Sequence, residues 1–256
     1  MGMRHMGISR IIGGMYLNTL VSGLPPAERA ALVQASELRS YRRNETVLAV
    51  DEWTEHLYCV GSGLLRVVAH GRGTGADVTT EFIRRDDFFL GSSFTEDRHQ
   101  ATETLIAALP SSVYLIPIVA MRKLCERHPQ VTLALLDLAL KRVGLMRGQL
   151  RRVSALSSED LVSRVLHQLT ELAPAKTGGY DKRITQSVIA SYSGLSREVV
   201  NKTMRDMESR GLVRRDDHGV HVPDDFAATD FGDSQNGPDG TDDLDKPGAA
   251  SLERCS

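Results

Sequence analysis

Cysteine is scarce in this chain of 256 residues: Cys59, Cys125 and Cys255 lie far apart. Such a distribution builds no disulfide framework and suits a reducing compartment, so a cytoplasmic location is expected. Long apolar runs are missing too. No stretch approaches the roughly 18 apolar residues that a membrane helix needs, and no membrane partner is expected. Met1 to Arg10 carry charge and histidine without the apolar segment of a signal peptide. Nucleophile elbows, phosphate-cradling glycine loops and paired metal-ligand motifs are likewise absent. An enzyme reading therefore has nothing to stand on, and neither a catalytic residue nor a metal site is expected.

Charge of one sign is not lacking overall, since the formal net charge is only -2, but it is unevenly placed. From Pro223 onward nine acidic residues face two basic ones, a balance of -7, which leaves +5 on residues 1–222. Lys182 to Arg215 alone hold eight basic and three acidic residues. A basic module beside an acidic tail points to a polyanionic partner. The tail (223–256) is rich in Asp, Gly, Ser and Pro with few apolar residues, too few to offset its ordering entropy, so disorder is expected there.

Residues 1–20 read as a short arm with several glycines. Pro25 and Pro26 open a helix that continues through Ala30, Leu32, Val33 and Leu38, proline being favoured in a first turn. From Tyr41 to Pro117 the chain changes to short branched and aromatic runs: Thr46–Leu48, Leu57–Val60, Leu64–Val68, Val78–Ile83 and Ser112–Ile116. Glycine or charged turns separate them, the pattern of an antiparallel barrel or roll. From Pro129 to about Val153 comes the longest helical pattern. Leu136, Ala139, Val143, Met146, Leu150 and Val153 recur at steps of three and four, which is a heptad seam for a second copy of the chain. Leu138 and Leu145 form a neighbouring stripe that could rest on the roll; an ordinary buried helix is the alternative. Ser157 to Asp160 then cap a new helix ending at Leu172.

The most informative stretch is Ile184 to Val222. Thr185 is placed to cap a helix starting near Gln186, and the small Ala190 allows a second helix to cross closely. Gly194 supplies the turn, Leu195 plugs the gap and Ser196 caps the second helix. Val199, Val200, Met204 and Met207 are expected to face the core, leaving Arg197, Glu198, Asn201, Lys202 and Arg205 on other faces. Gly211 ends the helix, and Asp217-His218-Gly219 turns a hairpin between Leu212-Val213 and Val220. This is a helix-turn-helix with a wing, the arrangement in which the second helix enters the major groove. A small helical subdomain with a solvated charged face would share the helices and the glycine but not the wing.

The stretch TQSVIASYSGLSREVVNKTMRDMESRGLVRR resembles the DNA-binding end of the Crp/Fnr family of bacterial transcription regulators, its specific part being Ser196-Arg197-Glu198, then Val200 and Lys202. The resemblance implies that Arg197, Glu198 and Lys202 read base edges. The chemistry agrees, since Arg is the usual bidentate partner of guanine and Glu accepts from the cytosine amino group. Thr185, Gln186, Ser196, Asn201, Arg214 and Arg215 are then the candidates for phosphate contacts. Ser193 departs from the family, which has an aliphatic residue there. LPPAERAALV resembles the helix that precedes the family's sensor domain, and Tyr58-x-Val60-x-Ser62-Gly63-x-x-Arg66-Val67 is similar to a hairpin of the cyclic-nucleotide-binding β-roll.

Residues 84–91 resemble the turn leading to that roll's phosphate cassette, where ligand-binding members continue with Gly-Glu and later an Arg before a small residue. Here Gly91 is followed by Ser92, so the ribose-binding carboxylate is missing, and Arg98 is followed by His99 and Gln100. Gly91, Ser92 and Arg98 mark the candidate effector pocket, and the substitutions argue against a cyclic nucleotide; no cofactor is expected. Iron–sulfur members carry a cysteine cluster that this chain lacks. His56, His70, His99 and His128 show no ligand-pair spacing for haem.

The expected fold class is α+β, in five parts: an arm (1–20), an antiparallel β-roll sensor (21–120), a dimerisation helix (121–156), a winged helix-turn-helix (157–222) and the tail. The expected function is that of a homodimeric regulator on an inverted repeat of double-stranded DNA, working with RNA polymerase. A dimeric interaction module that no longer reads DNA, and a regulator that does bind a cyclic nucleotide, are the alternatives.

Overall fold

The computed structural model describes residues 19–71, 77–176 and 178–223. Nearly all of the expected arm and acidic tail thus lies outside the described residues. Two helices open the described residues, α1 (Thr19–Ser22) and α2 (Pro26–Ala35); α2 stops short of Leu38, which was expected to continue it and instead pairs with Tyr114 in a strand. Strands β1 (Glu37–Tyr41), β2 (Thr46–Leu48), β3 (Trp53–Thr54), β4 (His56–Ser62), β5 (Leu64–His70) and β6 (Asp77–Arg84) follow. The sensor is completed by β7 (Phe88–Phe89), β8 (His99–Gln100), β9 (Thr104–Ala107) and β10 (Ser111–Pro117). Among the described residues they form antiparallel sheets ordered β1-β10-β4-β7 and β2-β9-β5-β6, with β3 and β8 as a separate pair. The roll expected from the sequence is therefore present, with β1, β3, β7, β8 and β9 in addition to the five strands anticipated.

Strand β4 shows why the central runs look continuously apolar. Successive side chains point to opposite faces, and both faces are covered. Tyr58 and Val60 enter the core between the sheets with Leu65, Ile83, Val113 and Leu115. Leu57 and Cys59 enter a second core with Tyr114, Ile116, Met121 and Leu124 beneath the helices. Cys59 is thus a core residue, and burial raises its thiol pKa far above the ordinary value. Gly63 closes the β4–β5 hairpin at φ +88°, where a Cβ would lie 2.4 Å from the Pro110 carbonyl oxygen, so only glycine is accommodated.

The dimerisation segment expected over 121–156 holds parts of two helices, and the helical pattern read from Pro129 to about Val153 is the second of them. Helix α3 (Ile118–Arg127) ends at His128, and α4 (Pro129–Ala155) begins at a proline that cannot continue the preceding hydrogen-bond ladder. Helix α5 (Ser158–Leu172) starts where Ser157 accepts from the Asp160 amide at 3.2 Å, and buries Leu161, Val162, Val165, Leu166 and Leu169 on one face. The final unit comprises α6 (Gln186–Ser193), α7 (Arg197–Ser209) and the two-stranded wing β11 (Arg214–Arg215) and β12 (Val220–His221). Tyr180 adds to the wing by exchanging two 2.9 Å backbone hydrogen bonds with Val220. This unit is no separate bead on the chain. Its core, with Val188, Ile189, Val200 and Met204, is continuous with Leu64, Phe82, Ala108 and Leu109 of the sensor.

Candidate nucleic-acid interface

Helix α7 is built to present a polar face. Val200, Met204 and Met207 are buried at steps of four and three, anchoring one side of the helix; burial of three such side chains contributes about 1.5–3 kcal/mol each. Val199, expected in the core, is instead 37% exposed, because it lies one step beyond that stripe. Ser196 caps the helix, its hydroxyl accepting from the Val199 amide at 3.2 Å, and Glu198 in the first turn suits the positive helix end. Gly194 adopts the left-handed conformation at φ +75° in the turn between α6 and α7. Ser193 fits this turn well: fully buried, it donates to the Ala190 carbonyl at 3.2 Å and accepts from the Leu195 amide at 3.4 Å.

Arg197, Glu198, Lys202 and Arg205 are exposed and Asn201 is half-buried. Among the described residues no carboxylate pairs with Arg197, Lys202 or Arg205, whereas Arg210 is held by Glu159 and Asp206. The phosphate candidates divide. Thr185 begins α6 but makes no side-chain capping bond, contrary to expectation, so its exposed hydroxyl is available. Gln186 sits half-buried in the first turn of α6. Ser196 spends its oxygen on the cap. Arg214 is three-quarters exposed, 3.9 Å from Asp216, while Arg215 pairs with Glu208 of α7 and is therefore partly neutralised. The wing turn is organised by Asp216, which accepts from the amides of His218 and Gly219 at 2.7 and 2.9 Å and from His221 at 2.7 Å. Those amides, more than His221, hold its carboxyl down to about 2.

What the sequence did not disclose is how α6 is fastened to the sensor. The Ser191 hydroxyl accepts from the Thr79 amide at 2.8 Å, contacts the Thr79 hydroxyl at 2.9 Å and donates to the Asp77 carbonyl at 2.9 Å. Next to it, Tyr192 meets Phe82 edge-on at 4.8 Å and donates to Gln168 at 3.2 Å, while Gln149 of α4 donates to the Tyr192 carbonyl at 3.2 Å. These partners lie 112 residues apart for Ser191 and Thr79, so no local sequence signal could have paired them.

The α4 seam is largely solvent-facing in one chain. Leu136, Val143, Met146 and Leu150 are 42–71% exposed, Ala139 is half-buried, and the Val153 side chain lies outside the described residues. Leu133 (66%) and Leu140 (61%) extend the stripe beyond the residues expected. Leu138 does pack against the roll, but Leu145 does not; it is 62% exposed. What ties α4 to the roll is Arg142, 3.0 Å from Glu81 and 3.1 Å from Asp87, which also donates to the Phe88 carbonyl.

The cassette residues do not form a cradle for a cyclic nucleotide. Ser92 donates to the Gln100 carbonyl at 3.1 Å. Arg98 is exposed and lies over the Trp53 ring at 4.7 Å. His99 is only 3% exposed and packs against Gly91, its Nε2 2.6 Å from where a Cβ would stand, and among the described residues neither ring nitrogen has a hydrogen-bond partner. With no ribose carboxylate, a stacked-out arginine and an imidazole filling the turn, the residues present do not fit that ligand. Among the described residues no three metal-ligating side chains cluster, and no helix is long and apolar enough to cross a membrane.

Comparison with known proteins agrees with this arrangement. Residues 38–128 match the family model of the cyclic nucleotide-binding domain and residues 163–225 that of the Crp-like helix-turn-helix domain. The chain is 26% identical over 211 residues (80% of this chain and 92% of the relative) to a CRP-like cAMP-activated global transcriptional regulator of Mycobacterium tuberculosis. Its fold is similar to that of FixK2 from Bradyrhizobium japonicum, with TM-score 0.66, 19% identity and coverage of 75% and 94% of the two chains. It is similar also to the c-di-GMP responsive global regulator CLP of Xanthomonas campestris, with TM-score 0.65, 18% identity and coverage of 77% and 99%. A sensor roll followed by a winged helix-turn-helix, both matched in order along one chain, makes this protein a member of the Crp/Fnr family of DNA-binding transcription regulators.

Proposed function

We propose that the protein acts in the cytoplasm as a homodimer that places α7 of each chain in successive major grooves of an inverted repeat. The observation that carries this reading is the exposed face of α7, where among the described residues Arg197, Glu198 and Lys202 have no ion-pair partner and stand above a fully buried Val200-Met204-Met207 stripe. Arg197 and Glu198 read a G·C pair in each half-site and Lys202 adds a contact beside it. Thr185, Gln186, Asn201 and Arg214 hold phosphates, with Ser196 lending the helix end; Arg215 joins them only by leaving Glu208. The α4 stripe supports dimerisation, because Leu133, Leu136, Leu140, Val143, Met146 and Leu150 recur at steps of three and four and all stand exposed, as a seam for a second copy would. Two-fold symmetry then sets the half-sites about one helical turn, ~34 Å, apart. Bound this way, the dimer regulates through RNA polymerase, and its effector is not a cyclic nucleotide.

The experiment is selection of sites from random duplexes with the wild type and with Arg197→Ala. The wild type returns an inverted repeat. The variant loses roughly 1–3 kcal/mol per half-site and relaxes preference at one position. The same motif at the same information content from both proteins removes Arg197 from base reading. Failure of the wild type to enrich any duplex favours an interaction module.

A further inference from the structure

Three cations on the reading face of α7 lack a counter-charge of their own. Arg197, Lys202 and Arg205 are exposed, and among the described residues none of them forms an ion pair. The other basic residues of this unit are occupied. Arg183 is held by Asp181, Arg210 by Glu159 and Asp206, and Arg215 by Glu208. Lys182 and Arg214 stand 3.9 Å from Asp217 and Asp216. From Asp181 to Val222 the one acid outside these pairs is Glu198, in the first turn of α7. Three cations against one acid leave the face positive. The chain that leaves the wing carries the opposite charge. Arg214 pairs with His221 across the wing, and Pro223 follows two residues later. From Asp224 to Asp245 the sequence holds eight aspartates and no basic residue; the first cation is Lys246. A coil of roughly 20 residues spans about 25 Å, and like charges extend it further. The 13 residues of α7 extend over about 20 Å, so the whole reading face lies within reach.

We propose that the aspartates between Asp224 and Asp245 dock on Arg197, Lys202 and Arg205 of α7, so that this segment competes with DNA for the face that reads it. The docking follows from charge and tether alone, and only its consequence rests on the reading of α7 as the recognition helix. Carboxylates accept from guanidinium and ammonium groups as phosphates do. Each such exposed pair is weak and is screened by salt, but a tether holds the segment at an effective concentration in the millimolar range. An acidic segment of another protein would have to reach the face without that advantage. Any duplex, whatever its sequence, must displace the segment before it meets α7. Affinity for DNA therefore falls by one common factor, and the order of preference among sites is unchanged. Salt loosens the segment as it loosens the duplex, so the segment also makes the salt dependence of DNA binding shallower.

The test uses the full-length protein with Asp→Asn at every aspartate from Asp224 to Asp245, beside a second variant with Asp→Glu at the same positions. Three exposed pairs, each worth a factor of about 1.4 to 5, together set a gain of roughly threefold to a hundredfold in DNA affinity at low salt. The Asn variant gains that factor equally on the selected inverted repeat and on an unrelated duplex. Its salt dependence is steeper than that of the wild type, and the two proteins converge at high salt. The Glu variant keeps the charge and behaves as the wild type. Docking itself is read without DNA, by carbodiimide coupling and mass spectrometry: the Lys202 ammonium of the wild type is joined to a carboxylate between Asp224 and Asp245, and added duplex suppresses the product. An Asn variant that binds DNA no more tightly than the wild type overturns the proposal. So does a gain in affinity without coupling at Lys202, which would mean that the segment repels DNA from a distance and never occupies α7. A wild type that couples at Lys202 yet binds no duplex sinks the reading of α7 and leaves the docking standing, so the two failures are told apart.

Discussion

Ser191→Ala is the sharpest probe of how the DNA-reading unit is held, because the structure accounts for every bond that would be lost. The hydroxyl accepts from the Thr79 amide and hydroxyl and donates to the Asp77 carbonyl. These three losses are unequal. The Asp77 carbonyl lies at an exposed position where water replaces the donor. The Thr79 hydroxyl keeps Arg66, which donates to it at 3.2 Å. The Thr79 amide, in a residue with no solvent exposure, is left without an acceptor. An orphaned buried donor costs about 1–3 kcal/mol, and the other two bonds add little. Docking survives, because Tyr192 still meets Phe82 and the shared apolar core is untouched. The cost therefore appears as easier separation of α6 from β6, not as collapse of the roll. Hydrogen exchange reads this directly: protection of the Thr79 amide and of α6 should fall roughly 5- to 150-fold, the range that 1–3 kcal/mol allows. Val60 and Leu65 between the sheets should be unchanged, and Ser191→Thr should retain most of the protection. Unchanged exchange at Thr79, or an equal loss at Val60 and Leu65, refutes the reasoning.

Three further outcomes follow from the same coordinates. Val143→Glu combined with Leu150→Glu should give monomers by sedimentation and abolish tight binding to the inverted repeat; an intact dimer would move the interface off α4. Calorimetry with cyclic AMP and cyclic GMP should show no binding in the micromolar range, and a micromolar dissociation constant for either would make Arg98 the first residue to re-examine. Because the Asp216 carboxyl is lowered from its ordinary 3.8 to about 2, its hold on the wing turn is complete above roughly pH 4 and is lost as pH falls towards 2. The His218 and Gly219 amide resonances should therefore titrate with a midpoint near 2, and a midpoint near 4 would show that those hydrogen bonds do not form.

The parts of this molecule that were legible in the sequence are those fixed by local chemistry. Ser157 and Ser196 each meet the amide three residues on, and Gly194 is left-handed, because caps and turns depend on a few adjacent residues. The four longest strands, β4, β5, β6 and β10, and the short β2 were legible because branched residues alternate with turns. What was hidden is set by partners distant in sequence. β1 reads ELRSY and is exposed or half-buried throughout, so it has no apolar alternation to announce it. Helix α3 was hidden within the segment assigned to dimerisation, although Pro129 marked the start of α4 in the sequence. Val199 and Leu145 looked like core because each is apolar and lies beside a buried stripe. A one-residue step on a helix turns a side chain by about 100°, enough to change burial outright. The Ser193 departure looked like a loss of packing, yet the buried hydroxyl finds both a donor and an acceptor within its own turn.

The same distant partners decide how sensing can reach DNA. Helix α6 packs against α7, so the aim of the reading face follows the position of α6. That position is fixed from three directions: β6 holds Ser191 and the Tyr192 ring, α4 holds the Tyr192 carbonyl through Gln149, and α5 packs beneath α6 and accepts from the Tyr192 hydroxyl through Gln168. β6 and α4 are themselves joined by the pairing of Glu81 with Arg142, where burial raises the carboxyl and the guanidinium opposes that rise. These elements enclose a cleft of about 350 Å³ lined by Glu81, Phe82, Arg142, Met146, Gln149 and Tyr192. Any change that shifts β6 against α4 must therefore either carry Tyr192 with one of them or break a bond to the other.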